Sequence, residues 1–122
     1  MFQLTSAVKI FLCAYPINMH YSFEGLSGLV ESTFNQDPTC GHIFVFYNKR
    51  KDKIKLLYFD NDGLAIWYKR LERGTFKFPI NNKDNSFAID AATLTLILSG
   101  FEPNSVKRLR RFKIKENQRK TA

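Results

Sequence analysis

This chain has little cysteine or histidine. Of its 122 residues, two are cysteines, Cys13 and Cys40, and two are histidines, His20 and His42. The cysteines lie far apart and form no CxxC pair, so there is no redox motif and no disulfide framework; two lone thiols are the simpler reading. Neither histidine stands at ligand spacing from a cysteine, which leaves no zinc pattern. No metal and no cofactor is expected. The common catalytic signatures are missing too: there is no GxSxG, no HExxH, no phosphate-binding GxxxxGK[ST] and no GxGxxG. His20 and Cys13 are the one nucleophile pair on offer, and no spacing supports it. No apolar run approaches the roughly 20 residues of a membrane span. The N-terminal MFQLTSAVKIFLCAYP is interrupted by Lys9 and shows no cleavage site. The expectation is therefore a protein without a signal peptide, in a reducing, cytoplasmic compartment.

What the chain does have is aromatic and basic. Hydrophobic residues make up 44% and aromatic residues 15%, with 12 phenylalanines. That composition fits one packed domain and excludes wholesale disorder. The net charge is +8, and it is unevenly placed. From Met1 to Pro103 there are eleven Lys and Arg against ten Asp and Glu, a balance of +1. From Asn104 to Ala122 there are eight against Glu116 alone, a balance of +7. The pattern predicts a nearly neutral domain over residues 1–103 and a basic, flexible tail over 104–122.

Along the domain, VKIFLCAY (8–15) is apolar on both alternating faces and predicts a central strand, stopped by Pro16. FEGLSGLVESTF (23–34) places Phe23, Leu26, Leu29, Val30 and Phe34 at helical spacing. Gly25 and Gly28 weaken that helix by roughly 1 kcal/mol each against Ala, which points to a close backbone approach there. Four short strands follow: 42–48, 53–59, 64–71 and 75–79. They are joined by KRKD, DNDG and ERG, connections short enough to link antiparallel neighbours in a meander. Gly63 and Gly74 are expected to supply positive φ in the last two turns. FAI (87–89) reads as a short strand. Asp90 reads as an N-cap for a helix over 91–99, with Leu94, Ile97 and Leu98 inward and Gly100 as its stop. Together these predict an α+β fold: an antiparallel meander sheet with one or two helices packed on one face.

Three features carry possible chemistry. Asp60 and Asp62 could hold Mg²⁺, and with Glu72 could form a nuclease site. Turn chemistry alone, however, explains every residue of DNDG, and the rest of a calcium loop is absent. On the strands, Lys55, Lys69, Arg70 and Lys77 interleave with Trp67, Tyr68, Phe76 and Phe78. Such a surface can contact phosphates and stack on bases. It can equally be the wet face of a sheet with lysine stems lying over rings. The turn tip Lys49-Arg50-Lys51 can reach phosphates or simply keep a hairpin end soluble. In the tail, Lys107, Arg108, Arg110 and Arg111 begin a nearly unopposed basic run. It suits an electrostatic arm for nucleic acid or an acidic protein.

These residues also form an ordered pattern. Asp37-Pro38, Gly41, Phe44-Val45-Phe46, Lys49-Arg50, Lys55-Leu56-Leu57-Tyr58, Asp60, Gly63, Lys69-Arg70-Leu71-Glu72, Gly74, Phe76, Phe78 and Pro79 succeed one another over residues 37–79. The run resembles the TnpB accessory proteins of insertion-sequence-66-type bacterial mobile elements, and the likeness extends over most of residues 4–100. The chain departs from that pattern at Asn18 to Ser22, where relatives carry an acidic residue, Met, Arg, Lys and Gly and only Met19 is kept. Phe59 and Phe78 stand where tryptophans are usual.

The resemblance implies a non-catalytic accessory role in transposition, beside a separate transposase that carries the catalytic acids. The leading expectation for its partners is element DNA, the transposase, or both. Candidate phosphate contacts are Lys49, Arg50, Lys51, Lys69, Arg70, Lys77 and the tail cations Lys107, Arg108, Arg110 and Arg111. Trp67 and Tyr68 are the candidate stacking or partner surface. A protein adaptor with no DNA contact is the alternative, and no membrane partner is expected.

Overall fold

Apolar alternation on both faces of two short strands sets the architecture. In the computed structural model, which describes residues 7–81 and 83–100, strand β1 (Ile10–Cys13) lies beside β2 (Ile43–Tyr47), and the pair is parallel. A parallel pair requires a crossover connection. Helix α1 (Phe23–Thr33) provides it. Strands β3 (Lys53–Asp60) and β4 (Gly63–Arg70) continue antiparallel from β2. Strand β5 (Ser86–Ile89) adds antiparallel to the other side of β1, and helix α2 (Ala91–Ser99) closes the described chain. The result is one five-stranded mixed sheet in the order β4-β3-β2-β1-β5. The α+β class matches the sequence reading. The purely antiparallel meander does not, because β1 and β2 run in the same direction.

The helices lie on opposite faces, not on one. Ile43, Val45 and Tyr47 of β2 join Ile54, Leu56 and Tyr58 of β3 in a core that α2 covers with Leu94 and Ile97. The alternate residues Phe44, Phe46 and Leu57 form a second core, which α1 covers with Leu26, Val30 and Phe34. Residues i and i+2 share a face of a strand, so alternating sets belong to opposite sides. With both faces of β1 and β2 apolar, each face needs its own cover. The helical stripe on α1 is narrower than its spacing suggests, since Phe23 is exposed at the first turn.

The fourth meander strand does not form. After β4 the chain turns at Gly74, φ 83°, and residues 75–80 form no strand. The Leu71 N–H donates to the Asp52 carbonyl at 2.8 Å and the Phe76 N–H to the Lys51 carbonyl at 2.7 Å. These bonds fold the segment back over the end of the sheet. Phe76 is fully buried in the α2-side core and Phe78 stacks on Tyr47 with centroids 4.2 Å apart. The alternation of TFKFP therefore records rings inserted into a face, not rungs of a ladder.

The DNDG turn also differs in detail. Asp60 and Gly63 are the last paired residues, so the loop is Asn61-Asp62. Asn61, not Gly63, takes the left-handed conformation at φ 56°, one that asparagine tolerates. With a two-residue loop, Leu56 pairs with Trp67, Leu57 with Ile66 and Tyr58 with Ala65. Asp90 caps α2 by accepting from the Thr93 N–H at 2.7 Å, and Gly100 ends it at φ 90°.

Candidate nucleic-acid interface

Strand register brings the basic residues together. β3 begins where β2 and β4 end, and Lys53 pairs with Arg70 while Ile54 pairs with Lys69. The β2–β3 turn carrying Lys49, Arg50 and Lys51 therefore sits at the same end of the sheet as Lys69 and Arg70. Lys77 follows Phe76, whose N–H bonds to Lys51, and so joins them. All six are exposed. The opposite end carries Asp60, Asp62 and Asp90, with Lys9. The domain is nearly neutral in sum but polarised along its strands.

Two of the acids at the basic end have partners. The Asp52 carboxylate accepts from Asn48 Nδ2 at 2.7 Å, and Glu72 pairs with Arg70 at 3.4 Å. Asn48 fixes this turn, because its Oδ1 also accepts from the backbone N–H groups of Asp52 at 3.1 Å and Lys53 at 3.0 Å. Those bonds hold Lys51 in the left-handed region, at φ 60°, which an ordinary side chain rarely adopts.

The two candidate stacking residues part company. Trp67 lies half-buried on the α2 side, packed against that core. Tyr68 lies on the α1 side and is 50% exposed. Beneath its ring, 4.7 Å from the centroid, is the Lys55 ammonium. Lys55 is buried, and its Nζ donates to the carbonyls of Met19 and Tyr21, both at 2.7 Å. Burial pulls its pKa below the ordinary lysine value. A lysine that reads in sequence as one more surface cation is instead the pin that holds the connection before α1. The signal was faint: Lys55 is the one charge between Ile54 and Leu56 in a strand buried on both faces.

That connection shapes a cleft. Pro16, Ile17, Asn18, Met19 and His20 form one wall, and Asn48, Lys49, Arg50 and Lys53 the other, around a volume of about 490 Å³. A smaller depression of about 320 Å³ beside Tyr68, Arg70 and Glu72 lies on the same end. Nothing in the sequence spacing pointed to the first wall, since residues 16–20 and 48–53 meet only through the parallel pairing of β1 and β2.

The proposed carboxylate site does not assemble. Asp60 and Asp62 flank the start of β4 and Glu72 follows its end. Eight residues of strand at about 3.3 Å each put roughly 25 Å between them. Among the described residues no group of three or more His, Cys, Asp or Glu could hold a metal ion. Cys13 is buried and Cys40 exposed, both as free thiols. No helix among the described residues is long and apolar enough to cross a membrane. The tail cations Lys107, Arg108, Arg110 and Arg111 lie outside the described residues.

The pattern over 37–79 now has a structural basis. Asp37 Oδ1 accepts from the N–H and hydroxyl of Thr39, at 2.9 and 2.8 Å, which closes a turn ahead of Gly41 at φ 89°. Phe44 and Phe46 fill the α1-side core, Lys55 pins the connection, and Gly74 turns the chain that buries Phe76. The sequence profile of IS66 Orf2-like proteins matches residues 8–108. The chain belongs to the IS66 Orf2-like family. Two similar proteins come from Sinorhizobium fredii (strain NBRC 101917 / NGR234). The uncharacterized protein y4jC is 35% identical over 101 residues, covering 83% of this chain and 86% of the relative. The uncharacterized protein y4hO is 28% identical over 95 residues, covering 78% and 82%. No solved structure matches the chain. Membership associates this IS66 Orf2-like protein with insertion-sequence transposition, in an accessory role beside an IS66 transposase.

Proposed function

We propose that this IS66 Orf2-like protein is a non-enzymatic transposition factor that binds DNA of its element through the basic end of its sheet. The observation that carries the reading is convergence: Lys49, Arg50, Lys51, Lys69, Arg70 and Lys77 come from three separate stretches and meet at one end. Phosphate contacts of this kind give orientation and affinity without reading sequence. The cations of residues 107–120 add sequence-independent attraction. Tyr68 offers a stacking face, and Trp67 serves the core on the opposite side of the sheet.

The experiment is a mobility-shift assay with element ends across a salt series. Each phosphate neutralised on duplex DNA contributes a slope of about −0.9 in log affinity against log salt. A steep negative slope is expected; binding that is absent, or indifferent to salt, would sink the DNA role.

A second reading rests on the outer edge of β4, which has no neighbouring strand among the described residues. Such an edge can take a strand from a partner protein, here the transposase. Co-purification of the transposase that survives nuclease treatment and deletion of residues 104–122 would favour that adaptor role.

A further inference from the structure

The basic end is concave as well as charged, and its concavity is built before any ligand arrives. On one side of the 490 Å³ cleft, the Ile17 N–H donates to the Tyr47 carbonyl at 2.8 Å, and Lys55 holds the carbonyls of Met19 and Tyr21. On the other, the Asn48 side chain clamps Asp52 and Lys53. The lining is two-sided in chemistry. Pro16 and Met19 present apolar surface, and Lys49, Arg50 and Lys53 present cations that form no ion pair among the described residues.

A volume near 490 Å³ falls within the range of small-molecule pockets, about 300–1,000 Å³. It is too small to take in a double helix. A base can enter such a cleft only after leaving the stack, which costs least when it is already unpaired. We propose that the cleft receives one unpaired nucleotide of a DNA strand. Its phosphate sits among Lys49, Arg50 and Lys53, and its base lies against Pro16 and Met19. The exposed ring of Tyr68, which lies over the Lys55 ammonium, and that of Tyr21, whose backbone carbonyl the same ammonium holds, supply stacking faces for neighbouring bases. The domain then holds splayed or single-stranded element DNA in preference to duplex. This rests on the DNA-binding reading above and adds which form of DNA the site takes.

Fluorescence anisotropy on the full chain tests it, with one labelled 12-nucleotide strand presented single and as its duplex at fixed salt. The single strand is expected to bind at least about tenfold more tightly. Met19→Glu, and Lys53→Gln as a variant that spares the packing, should each reduce that preference to within about twofold. Lys51→Gln, on the same turn but outside the cleft, should weaken both forms in proportion and leave the preference standing. Duplex bound as tightly as the single strand, or a preference untouched by both cleft variants, would overturn the cleft assignment while leaving DNA binding intact. No binding of either form would overturn the parent reading. Displacement of the strand by a micromolar deoxynucleoside monophosphate would make a free nucleotide the ligand and overturn the strand assignment.

Discussion

Lys55 shows how one side chain can matter in a way its neighbours in sequence do not reveal. It is buried with two carbonyl partners at 2.7 Å and a ring above it. Lys55→Met keeps the aliphatic stem but leaves the Met19 and Tyr21 carbonyls without their donor, a loss of about 1–3 kcal/mol. Urea denaturation measures the stability, and an unchanged midpoint would show the pin to be idle. Loosened residues 18–22 should also become more open to proteolysis in this variant.

Tyr47 makes a pH-dependent statement. Burial, with a smaller contribution from the Cys13 thiol, pushes its phenol from 10.0 up to about 12. The folded chain thus holds this proton more tightly than the unfolded chain. The associated stability is fully present below pH 10.0 and is lost as pH rises through about 12. Tyr47→Phe removes that loss, so its alkaline unfolding midpoint is expected above that of the wild-type chain in a pH titration followed by circular dichroism.

At the scale of elements, the two glycines of α1 have different reasons. A Cβ on Gly25 would lie 2.8 Å from Cδ1 of Tyr21, whereas one on Gly28 would meet nothing within 4 Å. The neighbour at Gly25 is thus a side chain, not the backbone that the sequence reading expected. Gly28→Ala is expected to stabilise the protein by about 1 kcal/mol, the usual helix-propensity difference. Gly25→Ala should not, because it displaces the Tyr21 ring; equal thermal shifts for both would refute the distinction. The segment 75–80 argues the converse point, that an unpaired stretch can carry core. Phe76 is fully buried although it belongs to no strand or helix. Phe76→Ala is expected to cost about 3–5 kcal/mol, readable in denaturant unfolding, where a surface loop residue would cost a few tenths. Sequence periodicity found both helices and all five strands to within a residue or two at most ends. It mistook 75–79 for a sixth strand because burying alternate rings leaves the same pattern whether or not the backbone pairs.

For the whole molecule, the property that matters is charge polarity along the strands. Cations gather at the end where β2 and β4 finish, and Asp60 and Asp62 lie at the other. If DNA docks at the basic end, removing a phosphate-contacting lysine should reduce the salt slope by about 1. Lys49→Gln and Lys69→Gln are expected to do so, while Asp60→Asn with Asp62→Asn leaves slope and affinity nearly unchanged. Parallel salt titrations decide it, and a large gain from the aspartate variant would show that the field of the whole domain, not one end, governs binding.

The sequence by itself determined the class of fold, most element boundaries, the place of the DNDG turn and the family, because each is written in local periodicity and residue order. Only the tertiary structure decided the rest. The parallel placement of β1 beside β2 put the helices on opposite faces and brought residues 16–20 against 48–53 to form the cleft. Register gathered three basic stretches at one end. Lys55 became a buried pin and Trp67 a core residue, since burial depends on what packs above a side chain, and that comes from residues distant in the chain.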